Sequence, residues 1–361
     1  MRAQLLLCFM ILSIAAQGQG CIPVRNIVGF GQFMRSQSEM QAEPTTWLVN
    51  VNTRYAKIAR SYVGTKRTNL PPEDERINET FTMNVSIVRL LSRGWSIGMD
   101  LPLSANARTT WQEHDPTNPA KVHHTVNSYG LGDIRLAAYK WVWNTTENHR
   151  GNIAIGLGLK FPTGNYKYKD DFYKATETIS APVNATIQLG DGGMGFTSEI
   201  NAYYNLNPMI SFYGNFFYLF NPRGDNGVSS IDGGGKPNEL QIATGDVVYS
   251  VPDSYSARAG ANFTVKKFIF WMGARMEGQP TYDLIGESNG SRRAGYTISV
   301  EPGINYQIKR TTLYLFVPLT AQRKTQQTVP DKERSAITGT YFVSPGGFTD
   351  YMIFLGAVFK I

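Results

Sequence analysis

Residues 294–322 read Ala294-Gly-Tyr-Thr-Ile-Ser-Val-Glu-Pro-Gly-Ile-Asn-Tyr-Gln-Ile-Lys-Arg-Thr-Thr-Leu-Tyr-Leu-Phe-Val-Pro-Leu-Thr-Ala-Gln322, and apolar and polar residues alternate along most of that length. Tyr296, Ile298, Val300, Ile304, Tyr306 and Ile308 fall on one face of an extended chain, with Thr297, Ser299, Glu301, Asn305 and Gln307 on the other. A period of two is the signature of a strand with unlike environments on its two faces. A tight turn at Lys309-Arg310 would pair Tyr306 with Leu313, Ile304 with Leu315 and Glu301 with Pro318, so that Leu313, Leu315, Val317 and Leu319 continue the apolar face. Both strands then agree on register. A half-buried soluble sheet shows the same alternation, so the rest of the chain must decide.

The chain opens with Met1-Arg2, an apolar run from Leu5 to Ala16 and a small-residue exit before Cys21, the layout of a secretory signal peptide over residues 1–20. No later run approaches the roughly 20 apolar residues of a membrane helix, so any crossing after cleavage must be made by strands. Cys8 would leave with the signal and Cys21 would remain alone, which excludes a disulfide framework. Cys21 directly after the exit raises lipidation, although Gly18 and Gln19 stand where a lipobox wants Leu and a small residue. The net charge is +7, but no basic run exceeds two residues, which argues against nucleic acid as a partner. Mean hydropathy is slightly negative, as expected when only alternate residues face lipid.

Residues 21–45 read as a periplasmic lead-in or plug-like segment, and residues 46–361 as the barrel. Candidate strands run over 46–60, 79–91, 94–109, 129–143, 151–164, 194–206, 209–220, 254–266, 268–279, 293–308, 311–323 and 349–361, and no helix is expected. The connections alternate long and short throughout. Short ones fall at Ser92-Arg-Gly, Asn144 to Arg150, Asn207-Pro208, Lys266-Lys267 and Lys309-Arg310; long ones span 61–78, 110–128, 165–193, 221–253, 280–292 and 324–348. Short periplasmic turns, long outer loops and an even strand number together describe a bacterial outer-membrane barrel. The fold class is therefore all-β, a transmembrane antiparallel up-and-down β-barrel of about twelve strands. The alternating stretch Ala181 to Leu189 is placed in an outer-loop hairpin; counting it as a crossing strand leads to fourteen. Trp47, Trp95, Trp141, Trp143, Tyr204 and Tyr306 near strand ends suit interfacial girdles. The terminal strand, with Tyr351, Ile353, Leu355, Ala357, Phe359 and Ile361 on one face, resembles the signal read by barrel-insertion machinery.

With the apolar face toward outer-membrane lipids, the lumen carries Arg54, Asp100, Asp133, Arg135, Lys160, Glu199, Arg258, Arg275, Glu277 and Glu301. Cations and anions are equal in number, so the net charge does not imply an anion-selective pore. Counted from the tight turns, Arg258, Arg275 and Glu301 lie at one offset, and Glu199 shares it. Two readings stay open. Asp100, Asp133, Arg135, Glu199, Arg258, Arg275, Glu277 and Glu301 form a charged constriction that a small-molecule solute passes; or they fill a narrow barrel as a structural network, with Glu301 and Glu277 neutralising the directly paired Arg258 and Arg275.

Enzyme signatures are weak. His114, His123, His124 and His149 all fall in expected loops or turns, away from any strand-borne serine. Glu113, His114, Asp115, His123 and His124 match no established metal-ligand spacing and read as solvated loop residues. Gly233-Gly-Gly-Lys236 is followed by Pro237 rather than Ser or Thr, and so is no phosphate loop. No cofactor, metal site or catalytic group is expected.

Tyr129-Gly-Leu-Gly-Asp-Ile-Arg-Leu-Ala-Ala-Tyr139, Gly156-Leu-Gly-Leu-Lys-Phe-Pro-Thr-Gly164, Leu189-Gly-Asp-Gly-Gly193 and Val300-Glu-Pro-Gly-Ile-Asn-Tyr306 resemble segments of the transporter-like outer-membrane barrels grouped as the MetA-pathway-of-phenol-degradation family. The resemblance covers approximately residues 125–361; residues N-terminal to it match poorly. It implies an outer-membrane channel or transporter for small aromatic or otherwise hydrophobic compounds. The reading from a different class is a non-conducting structural or surface-interaction barrel, and an outer-membrane lipid hydrolase comes third.

Overall fold

The computed structural model describes residues 46–361 except 70, 72–73, 92–93, 116 and 144–149. The expected signal peptide (1–20), the lead-in (21–45) with Cys21, the Ser92-Arg93 turn and His149 lie outside the described residues. Twelve strands among the described residues form the barrel: β1 (Trp47–Val63), β2 (Ile77–Leu90), β3 (Trp95–Thr110), β4 (His124–Leu131 and Arg135–Trp141), β5 (Gly151–Lys160), β6 (Gly195–Asn205), β7 (Ile210–Phe220), β8 (Ser254–Val265), β9 (Phe268–Gln279), β10 (Gly295–Ile308), β11 (Thr311–Phe316 and Leu319–Thr325) and β12 (Gly346–Lys360). Each pairs antiparallel with the next, and β12 returns to β1 from Leu48↔Lys360 to Tyr62↔Gly346, closing the sheet. Closure removes the unpaired edges that hydrocarbon does not tolerate.

The expected β10–β11 register is the observed one, with Tyr306↔Leu313 and Ile304↔Leu315. Beyond Val317-Pro318 the count resumes unchanged at Val300↔Leu319. Proline has no N–H for the ladder, so the strand breaks there without slipping. The interruption in β4 is different. Leu103 pairs with Leu131, but Asp100 pairs with Arg135, so Gly132-Asp-Ile134 contains one extra residue. A one-residue bulge moves every later side chain to the other face. Val126 and Ser128 are buried before it, and Arg135, Ala137 and Tyr139 after it.

The chemistry is inside out. Phe196, Ile200 and Tyr204 of β6 are exposed while Thr197, Glu199, Asn201 and Tyr203 between them are buried. No described helix is long and apolar enough to cross a membrane, and the apolar outer band of strands makes the crossing instead. Trp47, Trp95, Trp143 and Tyr204 stand on the outside as girdle residues should, whereas Trp141 is only 4% exposed and faces inward against Tyr203. Its position after the bulge gives it the inner parity. At the short-turn end the described residues place Arg89, Lys140, Arg150, Lys266, Lys267, Lys309, Arg310 and Lys360, with no Asp or Glu beside them.

Among the described residues two α-helices occur in the long loops, where none was expected: α1 (Glu239–Thr244) and α2 (Val329–Thr338). Both begin with a capping box, Asn238 with Gln241 and Thr328 with Asp331, a signal that alternating strands on either side obscured. The stretch 181–189 contributes no barrel strand. Thr178–Pro182 pairs with Lys169–Tyr173 in an off-barrel hairpin, and residues 183–189 leave it as irregular chain.

Candidate functional site in the barrel interior

Nine of the ten expected interior charges fall into three groups; the tenth, Arg54, donates to Thr82 at 3.3 Å. The first lies on β8, β9 and β10. Arg258 and Arg275 are direct cross-strand partners, and Glu301, wholly buried, is paired to both. Arg258 Nε donates to Glu301 Oε1 at 2.9 Å, and Arg275 Nη1 stands 3.5 Å from Glu301 Oε2. Arg275 also donates to Glu277 Oε2 from Nε at 2.8 Å and from Nη2 at 2.6 Å. Two like charges side by side are tolerable because a carboxylate bridges them.

The second group runs along neighbouring strands of the wall, from β2 to β6. Arg135 on β4 donates from Nε and Nη2 to Asp100 Oδ2 on β3, at 2.9 and 2.7 Å, and from Nη1 to Glu199 on β6. Ser86 donates to Asp100 at 2.5 Å, and Tyr139 donates to Glu199 at 3.1 Å. In the third, Lys160 of β5 is paired with Asp191 and lies 3.5 Å from Asp133 in the β4 bulge.

An aromatic cage surrounds the first group. Tyr213, Trp271, Tyr314, Phe316, Met352 and Phe354 form one buried cluster on the inner face. The Arg258 guanidinium lies 5.7 Å from the Trp271 ring and 5.4 Å from that of Phe316, and Arg275 lies 5.4 Å from Phe354. Cation–π contact in a desolvated place adds to the hold of the carboxylates on the arginines. These rings come from segments such as Leu313-Tyr-Leu-Phe316, apolar on both faces, where lipid-facing and lumen-facing apolar residues cannot be told apart by period alone.

Beside the ion pairs lie buried polar atoms with no hydrogen-bond partner in the protein: Asn201 Nδ2, Asn215 Oδ1, Ser256 Oγ and Asn262 Oδ1. They sit on β6 to β8, and most have a side chain otherwise engaged; Asn262, for example, donates to Ser211 at 3.1 Å. An orphaned buried polar atom costs on the order of 1–3 kcal/mol unless water or solute satisfies it.

The outer mouth is narrowed by loops that turn inward. Ile187 accepts from Asn106 (3.2 Å) and from Ser128, both on the inner wall, and it packs with Val126, Phe172, Ala181 and Val183. Asp191 reaches Lys160, and its amide donates to Asp133 at 3.3 Å. Arg108 clamps Glu113, and Asp232 accepts from Asn184 (2.8 Å) and Tyr249 (2.9 Å). Burial, with Glu113 nearby, pushes Asp232 up to about 6.

All ten expected lumen charges are thus buried on the inner face, but in two places the arrangement differs from expectation. Glu199 joins Arg135 and Asp100 rather than the Arg258–Arg275 pair, because tilted strands put equal offsets at different points of the wall. Glu113 and His114, expected to be solvated, are buried: His114 is 0% exposed, and its Nδ1 accepts from Tyr173 N at 3.1 Å. Desolvation, followed by the neighbouring His124, pushes its imidazole down to about 4. His124, also expected in a loop, opens β4, which starts before the expected 129.

Among solved structures the chain is similar to an outer-membrane channel from Pseudomonas putida F1, at TM-score 0.55 and 11% identity over 89% of this chain and 97% of that one. The fold is that of an outer-membrane-type β-barrel. Looser likenesses are to the CymD monoaromatic hydrocarbon channel (TM-score 0.42, 9% identity, 93% of this chain and 94% of that one) and to a Pseudomonas aeruginosa FadL homologue (0.41, 9%, 92% and 95%). At these identities the first speaks for the fold alone and the other two carry no argument. No known family profile matches the chain, so the resemblance to the MetA-pathway barrels gains no support there. No curated relative matches either.

Proposed function

We propose that the protein is a bacterial outer-membrane channel that passes small solutes by diffusion, aromatic or otherwise hydrophobic compounds among them. The observation that carries this reading is the set of charged side chains on the inner wall of a closed barrel, Arg135 with Asp100 and Glu199, and Arg258 and Arg275 with Glu301 and Glu277. Asp100, Asp133, Arg135, Glu199, Arg258, Arg275, Glu277 and Glu301 are the residues we assign to the constriction. The outer-membrane channel of similar fold is in keeping with it. The test is single-channel conductance of the refolded protein in a planar bilayer, with Arg275→Ala and Glu301→Ala alongside. Discrete steps whose size or ion selectivity shifts in the variants are expected; silence from a barrel shown to be folded by its heat-modifiable migration would overturn it.

A structural or surface-interaction barrel is the second reading, favoured by the direct Arg135–Asp100 and Arg258–Glu301 pairing of inner-wall charges. It gives no conductance in wild type or variants.

A further inference from the structure

The outer wall carries a concave apolar groove of about 660 Å³ across β2 to β6, a volume typical of small-ligand sites. Its floor follows a single cross-strand row, Gly98↔Ala137↔Gly158. These residues direct whatever side chain they have into the barrel and leave bare backbone outside. Its banks are the exposed Ile97, Leu136, Leu157 and Phe196, and between Ile97 and Leu157 in the lower bank stands only Ala138.

One end of the groove is not apolar. Trp47 and Arg89 close it at the short-turn end, with the Arg89 guanidinium 5.2 Å from the Trp47 ring. Arg89 Nε is buried with no hydrogen-bond partner. Nearby, Lys140 lies 5.5 Å from the Trp95 ring, and the rim as a whole bears eight described cations without a carboxylate side chain beside them. A guanidinium with a partnerless Nε in a rim of cations, leading into an apolar trough of hydrocarbon-facing residues, is complementary to a molecule with an anionic head and an alkyl tail.

We infer that this groove binds an anionic glycerophospholipid of the periplasmic leaflet, its phosphate on Arg89 and one acyl chain lying over Gly98, Ala137 and Gly158. The site is independent of conduction and rests only on the outer-membrane placement, whose failure would show separately in membrane fractionation. Tail burial supplies affinity, and Arg89 supplies the preference for negative charge. The free volume beside Ala138 admits the chain, so a larger side chain there blocks it from the lipid side without entering the lumen.

The test is native mass spectrometry of the full chain released from mild detergent after incubation with equal amounts of phosphatidylglycerol and phosphatidylethanolamine. Wild type is expected to retain phosphatidylglycerol in preference. Arg89→Gln is expected to lower that retention roughly tenfold, the loss of one charge-assisted contact. Ala138→Phe is expected to lower retention of both lipids, and Val300→Phe, on the lipid face of β10, to change neither. Equal retention of the two lipids by wild type, or retention unaltered in Arg89→Gln or in Ala138→Phe, would overturn the assignment. Heat-modifiable migration reports that each variant is folded.

Discussion

Glu301 shows how much rests on single side chains inside this barrel. It is wholly buried, opposite Gly273 on β9, between two arginines that face each other across β8 and β9. Removing it leaves two adjacent buried cations with Glu277 as their one remaining carboxylate among these contacts. Breaking a buried pair in this way costs about 3–5 kcal/mol. Glu301→Ala should therefore lower the urea midpoint of the folded barrel by that equivalent, and the loss should be smaller in Arg258→Met/Glu301→Leu, where the charge pair is replaced by apolar volume. Two residues on, Gly303 makes room for an aromatic ring: a Cβ there would meet Trp271 Cε2 at 2.2 Å and Nε1 at 2.6 Å. The indole is rigid and donates to Asn305 at 3.1 Å, so it cannot simply swing aside. Gly303→Ala should cost about 1–3 kcal/mol and shift the tryptophan fluorescence, while Gly214→Ala, whose Cβ position meets nothing closer than 4.0 Å, should cost less and leave the fluorescence alone.

At the scale of elements, the inturned outer loops are held by groups that titrate. His114 accepts a backbone N–H at Nδ1, which requires that nitrogen unprotonated, and its ring lies against His124, Phe172 and Tyr173. Its pKa is depressed to about 4 from an ordinary 6.5 by burial, His124 and Lys174, with Asp170 opposing. The loosened loop therefore takes up a proton that the packed one refuses as pH falls below about 6.5. The stability from this site is fully present above that pH and lost progressively toward 4. Limited proteolysis of the outer loops should accelerate between pH 7 and 4.5, and His114→Phe, apolar and of similar shape, should flatten that part of the profile. Asp232 runs the other way: its raised pKa favours the packed loop as pH falls toward and below about 6, so the two groups partly offset one another.

The molecule as a whole inverts the rule for soluble proteins, since its polar residues line the inside and its apolar residues form the outer band. Leu157, midway along β5 and 66% exposed, faces hydrocarbon. Leu157→Arg should cost roughly 2–4 kcal/mol, read as a lower urea midpoint in vesicles, whereas Thr197→Ser on the inner face should change it little. Closure also sets what the chain can do. A sheet with no edge has its unlike environments fixed on either side, so function must be sought along the inner wall, in the loops that narrow its mouth, and in grooves of the outer wall.

Period two, alternating loop lengths and the absence of a long apolar run together identified the barrel and its twelve strands, because strand parity and membrane thickness leave little freedom once one face must meet lipid. The inner charges were legible for the same reason, and the Arg258–Arg275 pairing with Glu301 and Glu277 followed from counting back from tight turns. Counting failed for Glu199, whose partner Arg135 takes its inward direction from the β4 bulge, a one-residue event that no local pattern announces. It also gave no sign of the aromatic cage, of the helices in the outer loops, or of the burial of His114 and Glu113. Those depend on which distant strands and loops meet across a closed wall, and contacts between residues far apart in the chain are a property of the tertiary structure alone.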